Sequence, residues 1–230
     1  MIKRYVAEFI GTFTIVFAPV AVGASAAINH TNHGLLIAAL VSGLPVLAMI
    51  YALGPICAAH FNPAVTLGFA VAKRFPWKFV LPYWLAQMMG SVSAAGLAYG
   101  LFGIPSGAHI PSEPSLLVRN LGLEITISAM LMFVIIAVAT DRRISGAIPA
   151  LAIGFMVVVG VLIGGPITGG SMNPARSFGP ALFAGGAALA SYWLYVVGPM
   201  VGACIAALVY EAIRLDPAPT KSAPDELIVS

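Results

Sequence analysis

The chain predicts an all-α membrane protein of six transmembrane helices and two re-entrant half-helices, related by an inverted internal repeat. Three observations carry that expectation. Of its 230 residues, 60% are hydrophobic and only 8% charged, against about 25% charged in soluble domains, which must cover their surface with polar groups. Six stretches run for about 20 mostly apolar residues, the length that crosses a hydrocarbon core. The triplet Asn-Pro-Ala occurs twice, at Asn62-Pro63-Ala64 and Asn173-Pro174-Ala175, each time heading an apolar piece too short to cross. Such a piece survives at membrane depth only when it is buried in protein or lines a cavity.

In chain order, the spans are expected at 5–27, 34–53, 79–101, 119–140, 147–165 and 189–213. The half-helices are expected at 62–72 and 173–184. The start "MIKRYVAEFIGTFTIVF" has the basic opening of a secretory signal. Its apolar run continues to about Ala27, with only a weak A-x-A site, so it reads as a retained first span. Positive charge orients the rest. Lys3, Arg4, Lys73, Arg74, Lys78, Arg142, Arg143, Arg214 and Lys221 share one side when six spans alternate, leaving Arg119 and Arg176 elsewhere. The richer side is expected to be the cytoplasm of a cell membrane (inner or plasma), with both termini on it. The Pro- and Ser-containing connection 102–118 is expected outside, and the tail from about 215, with its "DPAPTKSAPDELIVS", disordered. No soluble domain is expected; 1–230 reads as one domain.

The repeat is visible directly. Setting Asn62 on Asn173 also sets Gly43 on Gly154, Gly54 on Gly165 and Pro55 on Pro166, and "AALVSG" against "PALAIG". Glu8 in the first span has a counterpart in Glu124 in the fourth. The halves, about 1–101 and 119–213, hold three spans each, and an odd number inverts the second half. Inverted repeats with broken helices meeting near the midplane are a transport architecture, with half-helix N-termini aimed at the pathway. The Gly- and Ala-rich stretches "GSVSAAGLAYG" and "GPMVGACIAAL" suit tight helix packing, within or between subunits.

Pro fits the first turn of a helix, where its missing N–H costs nothing, and Asn before it caps that helix. Each N-terminus carries about half a positive charge. Two facing ends make a zone that repels cations, while Asn N–H groups serve a neutral hydroxyl-bearing solute. The plainer reading, helix caps with the pathway elsewhere, stays open. Glu8 and Glu124 are the acidic residues inside spans, apart from Glu211 near an end. They fit either proton relays or buried acceptors for loop N–H groups. His60 fits either a packed loop histidine or a pH gate. His30, His33 and His109 fall in outer connections, and no metal or cofactor is expected. Cys57 and Cys204 read as small hydrophobes rather than a disulfide. A scattered net charge of +3 does not suggest nucleic acid. With no nucleophile–base pair in a common pocket, an enzyme is disfavoured.

Taken together, two Asn-Pro-Ala triplets, the second followed by Arg176 and Ser177, in a duplicated chain with Glu8 and Glu124, resemble the major intrinsic protein (aquaporin) family over about residues 5–213. That resemblance implies a pore lined by the carbonyls of Ala58, Ala59, His60 and Phe61 in "CAAHF", and of Gly169, Gly170, Ser171 and Met172 in "TGGSM". It implies that Glu8 and Glu124 support those loops, and that four copies form a homotetramer in the lipid bilayer with one pore each. It also implies an outer selectivity filter at Ser42, Val161, Gly170 and Arg176. Water channels usually place an aromatic, a His, a Cys or Thr and an Arg there, and glycerol facilitators place aromatics. This chain keeps only the Arg. Its pattern is nearest to that of plant channels for silicic acid and other metalloid hydroxides, with small residues at the variable positions. The expectation is passive passage of glycerol, urea, and boric, arsenous or silicic acid, with water. Tyr192-Trp193 looks more like water channels, or like an interfacial anchor, so a water-selective channel stays open. So does a proton-coupled transporter using Glu8 and Glu124.

Overall fold

The computed structural model of the chain describes residues 1–141, 144, 146 and 148–215. Arg142, Arg143 and Lys221, used above for orientation, and the tail beyond Leu215 lie outside the described residues.

The helices follow the apolar pattern closely: α1 Ile2–Ile28, α2 Gly34–Cys57, α3 Pro63–Val71, α4 Val80–Phe102 (entered through a short 3-10 turn, Trp77–Phe79), α5 Leu117–Thr140, α6 Ile148–Gly164, α7 Pro174–Ala184, α8 Gly186–Ser191 and α9 Leu194–Ile213. Among the described residues, five helical runs are long and apolar enough to cross a membrane, the last being α8 and α9 together. The sixth, α6, has 17 residues, the lower limit of a spanning length. Large apolar side chains such as Leu81, Leu101, Phe155 and Leu208 stand exposed along these helices. Lipid tails cover such a surface without cost, and the protein is a multi-pass membrane protein.

Two elements depart from the sequence expectation. Helix α2 runs four residues past 53 to Cys57, through Pro45 and Pro55. Membrane helices tolerate internal Pro because neighbours re-satisfy the freed backbone groups. It stops where Ala58 turns left-handed, at φ 65°. The span expected as one helix over 189–213 is broken at Tyr192 and Trp193. There Tyr192 N–H donates to Leu189 O and Tyr195 N–H to Tyr192 O, three-residue bonds that tighten the chain into a turn.

Helix α1 packs along α4 and α2, α5 along α9 and α6, and α2 along α6. Glycines make these contacts close. Gly90 of α4 faces the Phe9 carbonyl of α1, and Gly202 of α9 faces the Ile125 carbonyl of α5. Gly43 and Gly154 face one another between α2 and α6, and a Cβ on Gly43 would strike the Gly154 carbonyl. The small-residue stretches of α4 and α9 therefore serve packing inside the chain at these points. The half-helices α3 and α7 lie within this shell, α3 against α9 and α4, α7 against α4 and α1, and they meet at their N-termini. Beyond α3, Arg74 makes a two-pronged bond to Glu211 of α9 (3.0 and 2.8 Å), which Arg214 shares.

Candidate functional site

The centre is built from the two Asn-Pro-Ala triplets. Asn62 Oδ1 accepts the Ala64 N–H (2.9 Å), and Asn173 Oδ1 accepts those of Ala175 and Arg176 (3.0 and 3.2 Å), so each side chain caps its own half-helix. The amide nitrogens reach across. Asn62 Nδ2 donates to the Met172 carbonyl (2.8 Å) and Asn173 Nδ2 to the Phe61 carbonyl (2.9 Å). An amide nitrogen carries two hydrogens, so one on each Asn is left beyond this strap.

Glu8 and Glu124 lie under the loops, fully buried. Glu8 accepts the N–H groups of His60 (2.8 Å) and Phe61 (2.7 Å) and the Gln87 amide (2.8 Å). Glu124 accepts those of Ser171 and Met172 (both 3.0 Å) and the Thr168 hydroxyl (2.6 Å). The correspondence extends to further groups, of which the sequence singled out Tyr192 alone. Tyr83 donates to the Cys57 carbonyl (2.9 Å) and Tyr195 to that of Thr168 (2.6 Å). Trp84 donates to the Pro63 carbonyl and Tyr192 to that of Pro174. Tyr192 thus holds the second half-helix rather than only marking an interface.

The loops take left-handed backbone at Ala58, Ala59 and Phe61 (φ 65°, 53°, 47°) and at Gly169, Gly170 and Met172 (φ 91°, 64°, 56°). The Phe61 ring occupies space that a Cβ on Gly11 would fill, and Met172 Sδ does the same over Gly160. His60 is seated among the rings of Phe69, Phe75 and Tyr83 at 4.8–5.2 Å, with Nδ1 3.1 Å from Thr66 Oγ1. Among the described residues, no protein donor reaches the carbonyls of Ala58, Ala59, His60 or Gly169, whereas those of Phe61, Met172, Gly170 and Ser171 are taken.

Two cavities meet here. One of about 120 Å³ is lined by Ala58, Ala59, His60, Phe61, Asn62, Ser171, Met172 and Asn173. Since about 10–15 Å³ of such space admits one water, it has room for a short file of them. The other, about 370 Å³, is lined by His33, His109, Val161 and Gly169. Ser42 and Arg176 line both, so they stand at the junction. There Arg176 donates to Ser42 Oγ (2.8 Å) and to the carbonyls of Gly170 (2.9 Å) and Ser171 (3.2 Å). Gly170 is pressed against α6, where an added Cβ would come within 3.0 Å of Val161 Cα. The four residues expected at one ring are therefore neighbours, and only Arg176 among them is long.

Of the groups missed in the sequence, His109 is the most consequential. It belongs to the connection expected simply to lie outside, yet it is buried beside Ser177 (Nδ1 to Oγ, 3.0 Å) and Gly169. Burial, and secondarily the Arg176 charge, hold its imidazole well below the ordinary pKa. No spacing rule signals this, because a loop histidine carries no periodicity.

With this geometry in hand, residues 1–210 match the family described as Major intrinsic protein. Among similar chains, Aquaporin NIP1-1 of Oryza sativa subsp. japonica is 43% identical over 233 residues, covering 96% of this chain and 77% of the relative. Aquaporin NIP3-1 of Arabidopsis thaliana is 39% identical, covering 99% and 71%. The X-ray structure of the aquaglyceroporin from Plasmodium falciparum superposes with a TM-score of 0.81 at 24% identity, over 92% of this chain and 96% of that one, a likeness of fold.

Proposed function

The chain belongs to the major intrinsic protein family, channels and not enzymes, and from that premise we propose a passive pathway for small uncharged polyhydroxyl solutes beside water. Glycerol, urea, and boric, arsenous or silicic acid are the solutes meant, with protons and ions excluded. The observation that carries the reading is the junction of the two cavities. Of the four residues expected at the ring, Ser42, Val161 and Gly170 are small and Arg176 alone is long, and aperture together with lining donors decides what passes. Arg176 supplies positive charge and N–H groups in place of part of a solute's hydration shell. The two half-helix N-termini at the Asn pair add partial positive charge further along.

In this reading Asn62, Asn173 and the unfilled carbonyls of both loops serve the moving solute. Glu8 and Glu124 are structural, because their oxygens are already occupied by loop donors. Both termini face the cytoplasm of a cell membrane, the His109 cavity opens outward, and four copies assemble with a pore in each. Stopped-flow swelling of proteoliposomes with water, glycerol, urea and boric acid tests it. Entry of all four without saturation or proton movement is expected. Water passage with glycerol excluded would transfer the chain to the water-selective class, and proton-linked, saturable uptake would make it a carrier.

A further inference from the structure

His109 sits in the connection between α4 and α5, outside the four-residue ring. It is held in place from several sides. A Cβ on Gly169 would come within 2.7 Å of its Cδ2 edge, its ring lies 5.5 Å from that of Tyr195, and Ser112 N–H ties the same segment to the Ile167 carbonyl at 2.8 Å.

The hydrogen bonds around it favour one direction, since each hydroxyl owns one hydrogen. Ser171 Oγ gives its hydrogen to the Asn173 carbonyl (3.0 Å) and accepts the Asn173 N–H (3.3 Å). With that hydrogen so placed, Ser177 Oγ donates to Ser171 and accepts from His109 Nδ1. The reverse direction would turn a lone pair of Ser171 Oγ toward the Asn173 carbonyl, which also accepts the Ser177 N–H at 3.2 Å. The favoured arrangement makes His109 the Nδ1–H tautomer, with a lone pair on Nε2. Among the described residues Nε2 has no protein partner, and it is not one of the buried unpartnered atoms. It opens to solvent on a residue that lines the same cavity as Arg176.

The other half-helix shows the same device. Thr66 Oγ1 gives its hydrogen to the Asn62 carbonyl (3.1 Å) and takes the His60 ring at 3.1 Å. Thr66 and Ser177 stand 111 positions apart, the offset of Asn62 and Asn173. The position matching His60 holds Ser171, so the second imidazole comes from the connection instead.

We propose that His109 is a fifth solute-contacting residue, whose Nε2 is an acceptor subsite for the O–H groups of neutral hydroxyl-bearing solutes in the cavity beside Arg176. Arg176 offers donors only, and a hydroxyl group both gives and takes. A solute approaching the ring hands its lone pairs to the guanidinium and its hydrogen to the imidazole, so it sheds water in exchange for bonds of both kinds. Protonation of the ring would remove the acceptor and set a second cation next to Arg176, and the depressed basicity of the buried imidazole keeps it neutral. The proposal rests on the reading that such solutes pass.

Two measurements on the full-length protein in liposomes test it. Nitrogen-15 NMR of histidine-labelled protein, compared with His109→Asn for assignment, reads the tautomer directly. A bare Nε2 and a protonated Nδ1 on His109 are expected, and a protonated Nε2 would overturn the proposal. His109→Asn keeps an amide N–H for Ser177 while withdrawing the ring acceptor. Its glycerol flux should fall about fivefold, the scale of one lost hydrogen bond, with water flux less affected and the melting temperature retained. Full glycerol and water flux in folded His109→Asn would show a residue that only positions the loop. If wild type excludes glycerol, the solute class of the preceding section fails, and the NMR result with the water flux of the variant decides on His109. A variant that does not fold leaves the decision to the NMR.

Discussion

Asn62 and Asn173 hold one another's loops: each caps its own half-helix with its oxygen and ties down the opposite loop, at Met172 or Phe61, with its nitrogen. The centre is thus a mutual clasp, and its parts do not act independently. Asn173→Asp keeps a good cap but deletes the bond to Phe61 and brings negative charge to the meeting point of two positive helix ends. We expect the variant to fold, with lowered solute flux or a measurable sodium leak. Unchanged swelling together with unchanged sodium exclusion would count against the proposed centre.

Replacing Glu8 or Glu124 by Ala leaves buried loop N–H groups without an acceptor, at about 1–3 kcal/mol each. Both variants should unfold at lower temperature in detergent and give less folded protein. A stable Glu124→Gln that conducts normally except for loss of proton-linked uptake would instead mark a carrier.

Restoring bulk at the ring, with Ser42→Phe and Val161→His together, should cut glycerol, urea and boric acid flux at least tenfold on the scale of a few kcal/mol of added clash. Water flux should fall much less. Full glycerol flux in the double variant would place the ring at other residues.

Gly11→Ala drives a methyl into the Phe61 ring, and Phe61 is bonded at its N–H to Glu8 and at its carbonyl to Asn173. It cannot move without loosening both, so a loss of about 1–3 kcal/mol is expected. Gly122→Ala on α5 is the control, since nothing lies within 4 Å of its Cβ. Equal melting temperatures for the two variants would contradict the packing argument.

Stability should also depend on acidity through His109. Its folded pKa lies below the unfolded value of about 6.5, so the unfolded chain binds the proton more readily. The contribution is present in full above that value and is lost as pH falls below it. Melting curves from pH 8 to 4 should show a fall in wild type that is smaller in His109→Asn, and parallel curves would refute the assignment.

Much of this was legible in the residues. Apolar run lengths located the six spans, and Asn-Pro at a helix start located the two half-helices, because capping and first-turn chemistry are local. The α2 end and the break before α9 were not, since Pro55 looks like a stop until its neighbours are known, and the turn at Tyr192 depends on three-residue bonds that no apolar pattern records. Gln87, Tyr83 and Tyr195 escaped notice for a related reason. A polar group in an apolar helix announces that it has a partner but not which one, and theirs lie in other elements. The partner of His109, Ser177, is 68 positions away.

Gly43 and Gly154 occupy matching places in the two halves and touch each other. A residue that packs against its own counterpart lies beside the axis relating the two, and two separate copies of one half-length chain would meet there through an isologous contact. Joining such a pair end to end creates a single polypeptide without asking for a new interface. It also frees the two sides to diverge, so that one keeps a histidine in its loop while the other borrows a ring from the joining segment.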